Sequence, residues 1–313
     1  MDKFLVGFFA SINNDIYNLY KNAGYSTMYM HGNVGDFWNR KSVYGRLAVD
    51  QMSFIDAFDD TSEMIGGFLS DELFYRQAVS KLNDKNEPFM AFLVAASSHV
   101  PYYLEGIHDK EEKISIDIGK YEDTQFGYYL EAVNYADYAF GVLIDELKLS
   151  GLYDDSVILV FGDHYGLNMF DENLMEFASE VNPNYNIVTS RNNYESVLCG
   201  LKVPGIQNRK IDSPVSKLDI KPTLLELSGI DDDLSLGFTM FSTKDYAFIN
   251  NGYAVTDKYY YVNGTWYYRN SGAMVRFSDL HSEEMQTLLE YEANVVKELD
   301  ISSSIVINNL LLK

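Results

Sequence analysis

Val157-Ile158-Leu159-Val160-Phe161-Gly162-Asp163-His164-Tyr165-Gly166 decides the fold. Five apolar residues, introduced by the turn pair Asp154-Asp155, read as a strand that empties into a glycine-flanked Asp-His-Tyr. Upstream, the unbroken apolar run 89–95 reads as a second strand, buried on both faces, which ends before Ser97-Ser98-His99-Val100-Pro101. Between them Tyr128, Ala132, Tyr135, Ala139, Leu143 and Leu147 recur at helical spacing, predicting a helix over 124–149 closed by Gly151. Earlier still, Ile12, Ile16, Leu19 and Tyr20 share one helical face ending at Gly24. A strand over 25–30 then delivers His31-Gly32-Asn33, with Phe37-Trp38-Asn39-Arg40 in or just after a loop. Strand, helix and strand in alternation predict an α/β fold, a mostly parallel sheet with helices on both faces.

Downstream the pattern changes. Residues 197–203 suit another strand, weakened by Gly200 and ended by Pro204-Gly205, and a short helix covers 221–227. From Asp245 onward, Tyr-rich segments separated by Asn250-Asn251-Gly252 and Asn263-Gly264 read as β-hairpins. The tail 282–299 is helical. The expected division is a core over 1–243 and a smaller C-terminal β-hairpin and helix subdomain over 244–313.

Composition narrows the function classes. The 313 residues are 47% hydrophobic and 15% aromatic, which excludes a disordered or collagen-like chain. With 46 acidic and 24 basic side chains the net charge is -22, and binding of nucleic acid by phosphate neutralisation is excluded. The single cysteine, Cys199, rules out an internal disulfide and multi-cysteine zinc sites; it fits the cytoplasm and the cysteine-poor outside of a Gram-positive-type cell equally. The opening run Phe4-Leu5-Val6-Gly7-Phe8-Phe9-Ala10 is too short to span a bilayer, and Ala10-Ser11-Ile12 is a poor cleavage site. It is expected to start a core helix or strand, with neither a transmembrane segment nor a signal peptide in the chain.

Open parallel sheets place their sites beyond the carboxyl ends of the strands. Three of the five histidines, His31, His99 and His164, fall there, whereas His108 and His281 lie in charged, solvated surroundings. Asp163 and His164 together offer oxygen and nitrogen to a divalent ion. Adjacent strand residues point to opposite faces, so both reach one metal only where the strand breaks, a break that Gly162 and Gly166 ease. The same residues could instead form a turn in which Asp163 caps the next segment and His164 packs. Arg40 can grip a phosphate or carboxylate through its planar fork while Trp38 stacks on a glycerol or sugar face; a surface ion pair is the alternative for Arg40. His99 could donate to an anion or shuttle a proton. There is no Gly-rich phosphate loop and no Gly-x-Ser-x-Gly elbow. Asp59-Asp60 and Asp231-Asp232-Asp233 read as solvated loops, and Asn263-Gly264-Thr265 as a hairpin turn rather than a glycosylation site.

Four segments, taken in order, resemble the lipoteichoic acid synthase family, phosphoglycerol transferases of the alkaline phosphatase and sulfatase superfamily. They are Met30-His31-Gly32-Asn33 with Phe37-Trp38-Asn39-Arg40; Ser98-His99-Val100-Pro101; Val160-Phe161-Gly162-Asp163-His164-Tyr165-Gly166; and Val203-Pro204-Gly205 with Asp219-Ile220-Lys221-Pro222-Thr223. The resemblance implies a sulfatase-like sheet with a β-rich C-terminal subdomain. It implies that Asp163 and His164 are ligands of a divalent metal, usually manganese (Mn2+), and that His31, Trp38, Arg40 and His99 line a phosphoglycerol pocket. The implied reaction moves glycerol phosphate from phosphatidylglycerol to a glycerol-containing acceptor at the extracellular face of the cell membrane. The family's nucleophilic threonine and a glutamate metal ligand lie upstream of the segment matching His31; no threonine precedes Thr27, and Asn168 stands where a serine is common. The chain is therefore expected to be N-terminally truncated and weak or inactive in transfer. A non-catalytic protein binding glycerophosphate ligands, or a sulfatase or phosphodiesterase hydrolase, is the alternative.

Overall fold

The structure is a computed structural model that describes residues 15–84, 87–108, 110–168, 170–181, 196–207, 210–231, 235–249 and 253–308. Two compact units emerge, the first built on Tyr20–Ala178 and Leu198–Gln207, the second on Asn208–Lys313. The expected helix start at Ile12, the run 4–10, the turn 250–252 and most of Asp231-Asp232-Asp233 lie outside the described residues.

After α1 (Ile16–Asn22), β1 (Ser26–His31) forms the centre of a three-stranded sheet. α2 (Arg40–Tyr44) follows, and then β2 (Gln51–Ser53), parallel to β1 on one side. The two-residue turn Gly66-Gly67, with φ 53° and 88°, joins β3 (Met64–Ile65) to β4 (Phe68–Leu69); only glycine takes both angles without strain. α3 (Asp71–Asn83) is capped by Ser70, whose hydroxyl accepts from Leu73 N at 3.3 Å. β5 (Phe89–Val94) then runs parallel to β1 on its other side, with His31 opposite Val94. The parallel sheet expected from the alternation is present.

Alternation along β1 decides what faces the core and what faces the site. Met28 and Met30, both fully buried, pack with Phe74, Ala78, Val79 and Leu82 of α3 and with Leu143 and Leu147 of α5 (Gln125–Leu149), which follows the short α4 (Lys110–Lys113). Each large side chain so buried contributes about 1.5–3 kcal/mol. Thr27, Tyr29 and His31 point the other way. The face that α3 and α5 leave uncovered is thus the one that carries the polar residues.

Three features differ from the expectation. All six residues of β5 are only half-buried, because β5 pairs with β1 alone among the described residues and sits at the edge of the ladder. β6 (Ile158–Phe161), followed by α6 (Glu172–Val181), pairs with β7 (Cys199–Lys202) in an antiparallel two-stranded ladder, so the strand predicted over 197–203 exists but runs against its neighbour. The β3–β4 hairpin and α3 were not anticipated from the sequence; Leu73, Phe74, Ala78, Val79 and Leu82 are the helical stripe that marks α3.

In the second unit, α7 (Ile220–Leu227) is tied down by Asp219 and Thr223. The Asp219 carboxylate accepts from Ser216 N and Phe238 N, and the Thr223 hydroxyl donates to Asp219 O and accepts from Met240 N. The Asp-Ile-Lys-Pro-Thr segment is therefore a structural cross-link. A meander of β8 (Tyr246–Ile249), β9 (Tyr253–Thr256), β10 (Tyr259–Val262) and β11 (Thr265–Tyr268) packs on α8 (Ser282–Asn308) through Trp266, Leu288 and Val295. Asn263 and Gly264, at φ 46° and 88°, make the hairpin turn. No helix among the described residues is long and apolar enough to cross a membrane.

Candidate functional site

His31 ends β1 and is 2% exposed. Its Nδ1 lies 2.8 Å from Val94 O. A carbonyl can only accept, so Nδ1 carries the proton and Nε2 the lone pair in the neutral ring. Burial lowers the pKa to about 4, the Val94 bond opposes that shift, and the nearby Arg40 and His99 lower it further. His31 is therefore a neutral imidazole at pH 7, offering Nε2 as an acceptor.

His99 and His164 are oriented by the same device. His99 Nδ1 donates to Val100 O at 2.7 Å and His164 Nδ1 to Tyr165 O at 2.6 Å. All three strand-end histidines thus tie Nδ1 to a carbonyl, which leaves Nε2 for a ligand. His99 is exposed, on the loop that follows β5 directly.

The chain leaves β1 through Gly32 and then makes a tight turn, with Trp38 and Asn39 both left-handed at φ 56° and 55°. That turn throws the Trp38 indole outward, 77% exposed and edge-on to Phe37 at 6.2 Å. It also starts α2 at Arg40, whose guanidinium lies over the Phe37 ring at 5.6 Å and reaches Phe37 O at 3.4 Å. Behind it Tyr29 stacks on Tyr44 at 3.7 Å, and the Tyr29 hydroxyl bonds with Tyr44 and Arg40. Burial pushes both phenols up, so they stay neutral hydrogen-bonding groups. Among the described residues no carboxylate pairs with Arg40. In a chain of charge -22, that cation is held in place by a phenol and an aromatic face, with no carboxylate among the described residues to cancel its charge.

His31, Arg40 and His99 therefore lie in one group, in which the Arg40 guanidinium is the cation and His31 a neutral ring. Phe68 of β4 contacts both histidines, its ring 6.5 Å from His31 and 6.1 Å from His99. Asp163 and His164 sit beyond β6 with side chains 82% and 60% exposed, Oδ1 and Nε2 3.8 Å apart, and the His164 ring meets Tyr165 edge-on at 6.3 Å. Gly162 still donates to Leu198 O, so the strand breaks after it, at Asp163. Gly166 is needed for packing, because a Cβ there would stand 2.3 Å from the Tyr129 ring. The Tyr102 hydroxyl donates to Gly166 O, and Phe92 stacks parallel to Phe161 at 6.4 Å, linking the end of β5 and its loop to β6 and its loop. Asp163 and His164 supply two donors, and no group of three or more His, Cys, Asp or Glu among the described residues could hold a metal.

Sequence reading passed over Tyr29, Tyr44, Phe68 and Asp71. Tyr29 could have been found from the two-residue alternation that puts it on the same face as His31. Phe68 carries no sequence signal, since an isolated Phe in a loop is ordinary.

Comparisons with known proteins agree with this architecture. Residues 9–230 match the family model described as Sulfatase. The chain is similar to the lipoteichoic acid synthase of Staphylococcus saprophyticus, 29% identical over 249 residues that cover 72% of this chain and 37% of that protein. It is also similar to lipoteichoic acid synthase 1 of Bacillus subtilis, 29% identical over 295 residues, 92% of this chain and 44% of that one. It spans about two fifths of the length of these curated relatives. The crystal structure of the lipoteichoic acid synthase LtaP from Listeria monocytogenes matches with TM-score 0.81 at 26% identity, covering 97% of this chain and 75% of that one. A Vibrio parahaemolyticus protein of the alkaline phosphatase superfamily shares the fold, with TM-score 0.67 at 23% identity over 97% of this chain and 71% of that one. A family model that takes in most of the first unit, on a fold shared with these structures, settles the affiliation: the chain belongs to the sulfatase family.

Proposed function

We propose that the first unit carries a phosphoglycerol-transferase site, which takes glycerol phosphate from phosphatidylglycerol for transfer to a glycerol-containing acceptor. The observation that carries this reading is Arg40, without a carboxylate among the described residues, grouped with His31 and His99 in a strongly acidic chain. The guanidinium fork holds the phosphate oxygens. The neutral His31 cannot attract an anion, and its Nε2 instead accepts a hydrogen bond from a glycerol hydroxyl. His99 Nε2 meets the ligand from the exposed side, and the Trp38 indole covers the glycerol carbons. The relatives named lipoteichoic acid synthase support this substrate class, and with it a place at the extracellular face of the membrane, where phosphatidylglycerol is presented.

Asp163 and His164 would hold a divalent cation, manganese by the family resemblance. When bound, it would neutralise charge developing on the phosphate and activate an attacking oxygen. Two donors among the described residues leave a coordination sphere incomplete, and a second reading is ligand binding without turnover.

The two readings separate in one experiment: binding of glycerol phosphate and turnover of a phosphatidylglycerol analogue with manganese, by the protein and by Asp163→Ala. The expected result is binding with slow manganese-dependent turnover, and manganese affinity lost in the variant. Robust manganese-dependent turnover that disappears in Asp163→Ala establishes the transferase reading over the binding one. Failure to bind glycerol phosphate in any form overturns both.

A further inference from the structure

We propose that Asp71 is a positioning residue for the anion pocket, acting through the Phe68–Asp71 segment to fix the separation of His31 and His99. The inference rests on the reading of that pocket as the ligand site.

Asp71 is 1% exposed. Its Oδ1 accepts from Ala96 N at 2.8 Å and from Ser97 N at 3.2 Å, its Oδ2 accepts from Ser97 N at 3.2 Å, and its own N–H donates to Ser97 Oγ at 3.0 Å. No cation accompanies it among the described residues. Burial raises its pKa, and the Ala96 and Ser97 bonds act against that shift. A carboxyl group in the interior, with no cation beside it among the described residues, is a costly way to anchor a loop. What it anchors is the segment that places His99 two residues later.

The three residues before Asp71 reach the other histidine. Leu69 N donates to Gly32 O at 2.8 Å, directly after His31. A Cβ at position 32 would come within 3.1 Å of Leu69 Cβ, so the close approach leaves room for glycine and little else. The Phe68 ring touches both imidazoles, and Ser70 fixes the start of α3, the rigid element to which the segment is attached. Four consecutive residues thus touch both histidine loops. They act as a spacer with a rigid foot in α3, and they hold two imidazoles against one apolar ring, where each keeps its Nε2 for the ligand.

The test is a double-mutant cycle on glycerol phosphate affinity with Asp71→Asn, His99→Gln and the pair. Asparagine keeps the shape but sets an amide against Ser97 N, so Asp71→Asn should weaken binding about fivefold. Because Asp71 works through His99, the double variant should bind no more weakly than His99→Gln alone. Losses that multiply would overturn the proposal. A ligand-free measurement runs beside it: Asp71→Asn should speed amide exchange at Ala96 and Ser97 and move the His99 imidazole resonances while His281 stays still. An unmoved His99 also overturns it. If the wild-type protein binds no glycerol phosphate, the pocket reading fails and the ligand-free result alone decides the role of Asp71. Should Asp71→Asn not fold, Phe68→Leu replaces it in the cycle with the same expectation.

Discussion

Arg40→Ala will weaken glycerol phosphate binding by roughly tenfold to a hundredfold, the effect of removing charge-assisted hydrogen bonds of about 1.5–3 kcal/mol. The change will appear in affinity with little effect on the melting temperature, because no carboxylate among the described residues depends on this arginine. Arg40→Lys will recover only part of the loss, since an ammonium restores the charge and not the planar fork braced by Tyr29 and the Phe37 ring. Calorimetric titration at two salt concentrations checks both points. If Arg40→Ala binds as tightly as the wild type, the anion is held elsewhere.

Acidification will destabilise the first unit through His31. Its folded pKa is about 4 against 6.5 in the unfolded chain, the cause being burial, with Arg40 and His99 adding to it. Above pH 6.5 the ring is neutral in both states and the full stability is present. As the pH falls from 6.5 towards 4, the unfolded chain takes up a proton that the folded protein refuses, so stability is lost across that window. Between pH 7 and pH 4.5 the loss amounts to about 2–3 kcal/mol. Urea unfolding at the two pH values should show it, and His31→Gln, less stable at pH 7, should show a correspondingly shallower dependence. Identical pH dependences for the two proteins would mean that His31 is not buried as a neutral ring.

Much of the fold is legible in the sequence because its signals are local. The apolar runs at 89–95 and 157–161 and the helical stripe from Tyr128 to Leu147 correspond to β5, β6 and α5 within two or three residues. Asn263-Gly264 is a turn because those two residues tolerate the φ values it needs. The strand direction of 199–202 is not legible, since pairing is a long-range outcome that no window of sequence encodes. Nor is the half-burial of β5, which depends on how many neighbours the ladder supplies. At the site, His31, His99 and Arg40 stand out as chemistry-bearing residues at strand ends, but what surrounds them does not. That Arg40 lacks an acidic partner among the described residues, that Tyr29 bonds it while stacking on Tyr44, and that Phe68 and Asp71 span two loops are facts of tertiary contact between residues as far apart in sequence as His31 and Phe68.

The account stands or falls on whether His31, Arg40 and His99 bind one ligand together. The direct measurement is a titration of the protein with glycerol phosphate, followed through the imidazole nitrogens of all five histidines by NMR at pH 7. The account predicts that His31 and His99 shift together, saturate with one dissociation constant, and cease to respond in Arg40→Ala, while His108 and His281 do not move. A still His31, or equal shifts at all five rings, would contradict it.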